Sequence, residues 1–293
     1  MLRGEEGVGK GFLANVIGRL CPHHYVVISQ SAHLTGRFNP HHQQCLLMFV
    51  DEGFWAGDKQ GEGALKHLVT DPELLIEPKH VNPFMVRNLS RLIIASNEHW
   101  VVPAGTRARR WFVLDVANTR ANDRKYFGAI VDEMENGGLQ ALMHLLMNFD
   151  LSTVDIFAVP KTAALLAQKE ESLPPHEKWW LHCLYAGEIR AHDFVVTSQR
   201  HNQFSKESDG WPKEVRKDQL WKSYRDWAMD HNIRSRLWPV STLHHWLKPL
   251  LPGSQEIRRG DKERTREIVL PELDICREAY AEHLGQPVAW GQI

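Results

Sequence analysis

Gly4-Glu5-Glu6-Gly7-Val8-Gly9-Lys10-Gly11 runs directly into Phe12-Leu13-Ala14-Asn15-Val16-Ile17-Gly18-Arg19-Leu20. The second stretch has apolar residues at 13, 16, 17 and 20, a helical spacing. The first satisfies the GxxxxGK pattern, in which glycines let successive backbone N–H groups curl around phosphate oxygens. The following helix adds the positive end of its dipole, and Lys10 adds a point charge. Gly4, Gly7, Gly9, Lys10 and Gly11 are therefore the candidate nucleotide-binding residues. Gly11 stands where a Ser or Thr hydroxyl would ordinarily ligate Mg²⁺.

Outward from this loop, short apolar runs alternate with helical stretches. Tyr25-Val26-Val27-Ile28, Cys45-Leu46-Leu47-Met48-Phe49-Val50, Arg91-Leu92-Ile93-Ile94-Ala95-Ser96 and Trp111-Phe112-Val113-Leu114-Asp115-Val116 read as strands. Continuous apolar runs of this kind suit an α/β sheet covered on both faces. Tyr126–Phe149 reads as helix, with Leu139, Leu142, Met143 and Leu146 on one stripe.

Polar residues at the strand ends supply the rest of a candidate site. Asp51-Glu52 closes the second apolar run: Asp51 would hold Mg²⁺ and Glu52 would polarise an attacking water. Taken alone, paired acids also simply mark a strand leaving the core. Asn97 ends the third run and could reach a γ-phosphate or the water, although Asn there is also a turn former. Gly105-Thr106-Arg107-Ala108-Arg109-Arg110-Trp111 is a cationic cluster in which Arg109 or Arg110 could stabilise transition-state charge from a neighbouring subunit. A solvated basic loop is the plainer alternative.

The 293 residues suggest about two domains. Lys plus Arg number 35 and Asp plus Glu 36, a formal net charge of −1, which argues against a uniformly basic nucleic-acid coat but not against local patches. A hydrophobic fraction of 43% excludes wholesale disorder, and no apolar run is long enough to span a membrane. Met1-Leu2-Arg3 begins no signal peptide. Cys21, Cys45, Cys183 and Cys276 form no CxxC pair, so a reducing, cytoplasmic setting is expected. The histidine pairs at 23–24, 41–42 and 244–245 lack the spacing of a zinc site.

Further along, Lys169–His176 is polar and contains Pro174-Pro175, as a linker would. Leu220–Ala228 is amphipathic, with Trp221 and Trp227 on the core stripe. Ser241–Lys248 is a second helix with Ser241 as its N-cap. Glu256–Arg259 and Arg264–Leu270 read as a hairpin, and helix, helix, basic hairpin is the order of a winged helix. Arg258, Arg259, Lys262, Arg264 and Arg266 stand against only Asp261 and Glu263, a charge balance suited to a phosphate backbone or to a charged sheet edge, and of these Arg258, Arg259, Lys262 and Arg264 are the candidate DNA contacts. Trp55, just after the acid pair, could stack on a base or pack in the core.

The ordered set Gly4–Gly11, Asp51-Glu52, Asn97 and Arg109-Arg110 resembles the helicase core of superfamily 3, an AAA+-related group of viral and plasmid replication ATPases. It is most similar to phage and prophage primase-helicases of the poxvirus-type group, in which a strand ending Ser-Asn precedes a Pro-containing loop and an Arg-Arg-aromatic strand. Here these are Ala95–Pro103 and Arg109-Arg110-Trp111, and the resemblance covers about residues 1–150. It implies a P-loop NTPase (AAA+-like) parallel-sheet domain over 1–150. A linker and helical segment over 151–215 and a mainly α, winged-helix-like domain over 216–293 would follow. It also implies ATP and Mg²⁺ as ligands, DNA as partner, a homo-hexameric ring and a bacterial host cytoplasm. The family's channel hairpin would fall on Leu75–Phe84, presenting Lys79 and His80 to DNA phosphates. The family places a strand and helices ahead of the loop and a primase further upstream, so the chain reads as part of a longer protein. Two other classes stay open. One is an ATPase-inactive DNA-binding replication-initiation or regulatory module; the other is a packaging-type ATPase, which would have no channel hairpin.

Overall fold

The computed structural model describes residues 1–52, 59–102, 104–106, 108, 110–155, 158–191, 194–195, 210–259 and 265–291. Its first unit is built from Met1–Ala104 and Ala108–Ser172, and its second mainly from Leu173–Ile293. Residues 151–172 thus belong with the first unit and 173–215 with the second.

The first unit is mixed α/β. Its elements in order are β1 (Leu2–Arg3), α1 (Lys10–Gly18), β2 (Tyr25–Ile28), α2 (Ser31–Thr35), β3 (Leu47–Asp51), α3 (Lys59–Thr70), β4 (Glu73–Ile76), β5 (Phe84–Arg87), β6 (Arg91–Ser96) and β7 (Leu114–Asp115). Then come α4 (Arg124–Glu133), a π turn (Met134–Gly138), α5 (Leu139–Met147) and α6 (Ala163–Ser172). Five strands form one parallel sheet in the order β2-β3-β6-β1-β7. β3 lies inside it, and Leu47, Met48, Phe49 and Val50 are all buried, as expected of a strand covered on both faces. β1 has only two residues, yet it pairs with β6 on one side and β7 on the other. A strand therefore does precede the 4–11 loop. Arg3 locks it in place: its Nε is 2.6 Å from Asp115 Oδ1 on β7, and its Nη1 donates to His99 O after β6.

β4 and β5 form a separate antiparallel hairpin whose turn carries Lys79 and His80. Asn39 steadies it, donating to Leu75 O and accepting from Glu77 N, each at 2.9 Å.

The second unit contains α7 (Pro175–Ala186), β8 (Arg190–Ala191), β9 (Phe194–Val195), β10 (Glu214–Arg216), α8 (Lys217–Asp230), α9 (Val240–Leu247), β11 (Gln255–Arg259), β12 (Thr265–Val269) and α10 (Leu273–Leu284). β10, β12 and β11 make a three-stranded antiparallel sheet. Trp179, Trp180, Tyr224 and Tyr280 are fully buried at its core. Trp179 Nε1 donates to Ser223 Oγ and Tyr280 Oη to Glu177 O, so these two rings are buried with their polar tips paired, whereas the buried Trp180 Nε1 has no partner among the described residues. Trp221 donates to Trp238 O, and Trp227 stacks on His231. No helix among the described residues is long and apolar enough to cross a membrane.

Several expectations need correction. Lys169–His176 holds the division between the units, at Ser172/Leu173, but it is mostly helical: α6 and α7 occupy both ends and only Leu173-Pro174 separates them, because Pro174 cannot continue a helix. Ser241 does not cap α9; Pro239 holds that position and Ser241 lies in the first turn. The Tyr126–Phe149 helix is broken at the π turn, where Gly137 has φ +101°, a conformation open to glycine. Beyond it α5 continues as helix, with no residue buried and Leu145, Leu146 and Met147 exposed. The 111–116 run yields only the two-residue β7, both residues exposed, because it lies at the sheet edge.

Two buried histidines make stability depend on pH. His176 stacks on Trp238 with ring centroids 3.5 Å apart, and burial holds its pKa down to about 4 despite neighbouring Glu177. His42, beside His41, is likewise lowered by burial to about 4. Each takes up a proton more readily unfolded, near 6.5, than folded. Their contribution is therefore intact above pH 6.5 and is lost as pH falls from 6.5 towards 4. The midpoint of thermal unfolding should drop between pH 7 and pH 4.5, and in His176→Phe the drop should be smaller. An equal drop in both proteins would refute this account.

Candidate functional site

The site lies where the parallel strands end. β1 delivers the chain into the 4–11 loop, with Gly4 N bonded to Ser96 O at 3.2 Å. Gly7 (φ +78°) and Gly9 (φ +96°) take left-handed conformations that let the loop curl before α1 starts at Lys10. Space enforces the same choice. A Cβ on Gly9 would meet the Phe127 ring at 2.7 Å, and one on Gly7 would meet Asn122 Oδ1 at 2.4 Å. A Cβ on Gly11 would only touch Phe49 at 3.7 Å, an ordinary contact.

Lys10 is buried, and its Nζ points back into the loop. It donates to Gly4 O and Glu5 O at 2.7 Å each and to Asn97 Oδ1 at 2.6 Å, which uses all three ammonium protons. Asn97, just past the end of β6, donates from Nδ2 to Glu52 Oε1. Glu52 has φ +53°, rare for a residue with a side chain, and its N–H bonds to Ala95 O at 3.1 Å. That turn after β3 carries the carboxylate towards β6. An ammonium, an amide and a carboxylate from three elements are thus wired in series, and exposed Asp51 lies beside them.

These groups line an open cleft of about 870 Å³, with Gly7, Gly9, Lys10, Gly11, Asp51, Glu52 and Asn97 on its wall. Sequence reasoning missed the opposite wall of Phe12, Asn122, Arg124 and Phe127. Asn122 N donates to Gly7 O, and the Phe127 ring stands edge-on to Phe12 at 5.1 Å. This stretch follows the sheet edge and carries no motif, so no local signal marks it. Gln168 on α6 was missed as well. Fully buried, it accepts from Val101 N and Val102 N and donates to His99 O, holding the segment that follows Asn97.

The remaining candidates lie elsewhere. Arg110 is exposed and does not line the cleft. Lys79 sits 5.5 Å from the Phe38 ring centroid and, with His80, on the β4–β5 turn. Arg258 is exposed on β11, and Arg259 ends that strand. Arg109, Lys262, Arg264, Trp55 and the side chain of Arg259 lie outside the described residues.

A family model described as "Family of unknown function (DUF5906)" matches residues 2–110, a span holding the loop, the acid pair and Asn97. The chain is similar to a phage protein. A DNA primase-polymerase of Nitratiruptor phage NrS-1 is 28% identical over 118 residues, which are 39% of this chain and 16% of that protein. Two apo structures of the NrS-1 C-terminal region match 92% of this chain with TM-scores of 0.59 and 0.63, at 18% and 17% identity. At such identity the likeness is one of fold. The chain spans 66% of each of those structures, less than two thirds of the relatives' lengths.

The glycine geometry makes a prediction. Gly9→Ala should lose about 1–3 kcal/mol through its left-handed φ and the Phe127 clash. Gly11→Ser should stay within about 0.5 kcal/mol of the parent. Chemical denaturation measures both, and equal losses would contradict the geometry.

Proposed function

We propose that the cleft binds ATP and hydrolyses it, and that the chain is the motor core of a phage replication protein acting on DNA. The observation that carries this reading is the Lys10–Asn97–Glu52 series facing a loop with two left-handed glycines. A phosphate-binding loop needs a cation, backbone donors and a helix N-terminus together. A hydrolytic site needs, in addition, a carboxylate near the terminal phosphate. Resemblance to superfamily 3 helicases and similarity to a phage DNA primase-polymerase support the same reading.

In this mechanism the triphosphate lies along the loop, and Lys10 exchanges a backbone carbonyl for a phosphate oxygen. Asp51 would be the protein's oxygen ligand for Mg²⁺, which would supply neutralisation of charge on the triphosphate, and Gly11 offers it no hydroxyl. Glu52 takes a proton from the water that attacks the γ-phosphorus. The bond to the β–γ bridging oxygen breaks, leaving ADP and phosphate. Asn97, bonded to both Lys10 and Glu52, couples the cation's position to that of the base.

The wider reading is a superfamily 3 helicase. A homo-hexamer would bring Arg109 or Arg110 to the neighbour's γ-phosphate, and Lys79 and His80 would grip DNA from the β4–β5 turn. The second unit would act as a winged helix with Arg258, Arg259, Lys262 and Arg264 on DNA, and a primase domain or protein would work alongside.

Lys10→Ala should lower kcat/KM for ATP by about 10²–10³. Glu52→Gln should lower kcat by about 10²–10⁴ while nucleotide still binds. Phosphate-release kinetics with Mg²⁺, with and without single-stranded DNA, provide the measurement. Parent-level turnover in Lys10→Ala would sink the proposal. DNA binding with no hydrolysis in the parent chain would favour a non-enzymatic replication module.

A further inference from the structure

A second cleft, of about 800 Å³, lies wholly within the second unit. Its floor is the first turn of α9 (Val240, Ser241) with His244, His245 and Lys248 further along that helix. One wall is the junction of β10 and α8 (Arg216, Lys217, Asp218), and the other is the β11–β12 hairpin (Glu256, Arg266). Antiparallel register explains the second wall. Glu256 pairs with Ile268 and Val215 also pairs with Ile268, so all three point to one face of the sheet. Arg258 pairs with Arg266, and period-two alternation puts both on that same face. Near β10 this face is apolar and buried at Val215 and Ile268; further out it turns to exposed charge at Glu256, Arg258 and Arg266.

Charged side chains on the core-facing side of a hairpin do not serve packing. Within the cleft the acids are engaged locally: Glu256 Oε1 is 2.7 Å from Lys217 Nζ, and Asp218 Oδ2 is 2.9 Å from Arg216 Nη2. Lys248 and Arg266 remain exposed, with the Ser241 hydroxyl and the His245 imidazole between the helix start and Lys248. Residues 241, 245 and 248 recur at helical spacing, so hydroxyl, imidazole and ammonium share one stripe of α9. Among the described residues, α9 has no side-chain N-cap, which leaves its first N–H groups to other acceptors.

We propose that this cleft, rather than the hairpin tip alone, is a binding site for a nucleic-acid phosphate backbone, with Lys248 and Arg266 as its main cations and Glu256 as an internal competitor. Phosphate oxygens would accept hydrogen bonds from three elements at once, and entry of a strand would draw Lys217 away from Glu256. The inference rests on the nucleic-acid part of the proposed function but not on ATP hydrolysis. An acidic peptide is a weaker fit, because the cations sit on three separate elements around an open cleft, a spread that suits a regularly charged backbone.

The test uses the full chain without nucleotide. Fluorescence anisotropy follows a labelled single strand of about 20 nucleotides and the matching duplex between about 50 and 200 mM salt. In the Lys248→Ala/Arg266→Ala double variant the Kd should rise at least about 10-fold. The slope of log K against log salt should shrink by about 1.4 for the single strand and about 1.8 for the duplex, two phosphate contacts' worth. Glu256→Gln should bind about 3-fold more tightly, a gain that a damaged fold would not produce. Unchanged Kd and slope in the double variant, with unchanged thermal midpoint, would overturn the proposal. So would poly-glutamate competing as well as unlabelled oligonucleotide. Loss of ATP turnover in the parent, with the salt response as expected, would remove the motor reading and leave this site standing.

Discussion

One ammonium group organises the first unit's site. Lys10 Nζ is buried, and a buried cation is tolerated only with its protons fully accepted. It finds its acceptors in two loop carbonyls and in Asn97, which lies on a different strand. The loop must therefore curl tightly, and β6 must end within reach of it. Asn97's remaining amide protons then turn to Glu52, which accepts a left-handed backbone to meet them. Remove the ammonium and neither the loop's curl nor the carboxylate's position has a common anchor.

That arrangement depends on a strand of two residues. β1 has too few residues to be stable as an isolated pairing, but a middle position gives it two partners. The Arg3–Asp115 pair adds a tie across its end, with Arg3 largely shielded and Asp115 half exposed. α6 reinforces the same region from behind, because Gln168 satisfies two backbone N–H groups and one carbonyl in the 99–102 segment. Without Gln168 the N–H groups of Val101 and Val102 would be buried without that acceptor, at about 1–3 kcal/mol apiece. Gln168 is thus a positioning residue for the stretch that begins at Asn97.

The second unit solves a different problem. Its core sets large aromatic side chains among leucines, and the Trp179 indole and the Tyr280 phenol find partners inside it. His176 joins this cluster as a neutral ring stacked on Trp238. Tryptophans of this unit therefore serve its packing. At the surface, Lys217, Lys248 and Arg266 line one cleft together with Glu256.

Local sequence by itself determined the 4–11 loop, the helix after it, the β3 strand ending in Asp51-Glu52 and the β6 strand ending before Asn97. Glycine, proline and apolar spacing act over a few residues and need no tertiary partner. The same signals ran one helix over Tyr126–Phe149, where a π turn at Met134–Gly138 divides it, since apolar periodicity does not report a local break in the backbone. Only the tertiary structure decided that Lys10 meets Asn97, that Phe127 and Asn122 close the far wall, and that Gln168 braces the segment after β6. It also decided that Arg258 and Arg266 share a face with Glu256. Those relations join residues far apart in the chain. They are set by strand order, register and buried polar satisfaction, which no local pattern encodes.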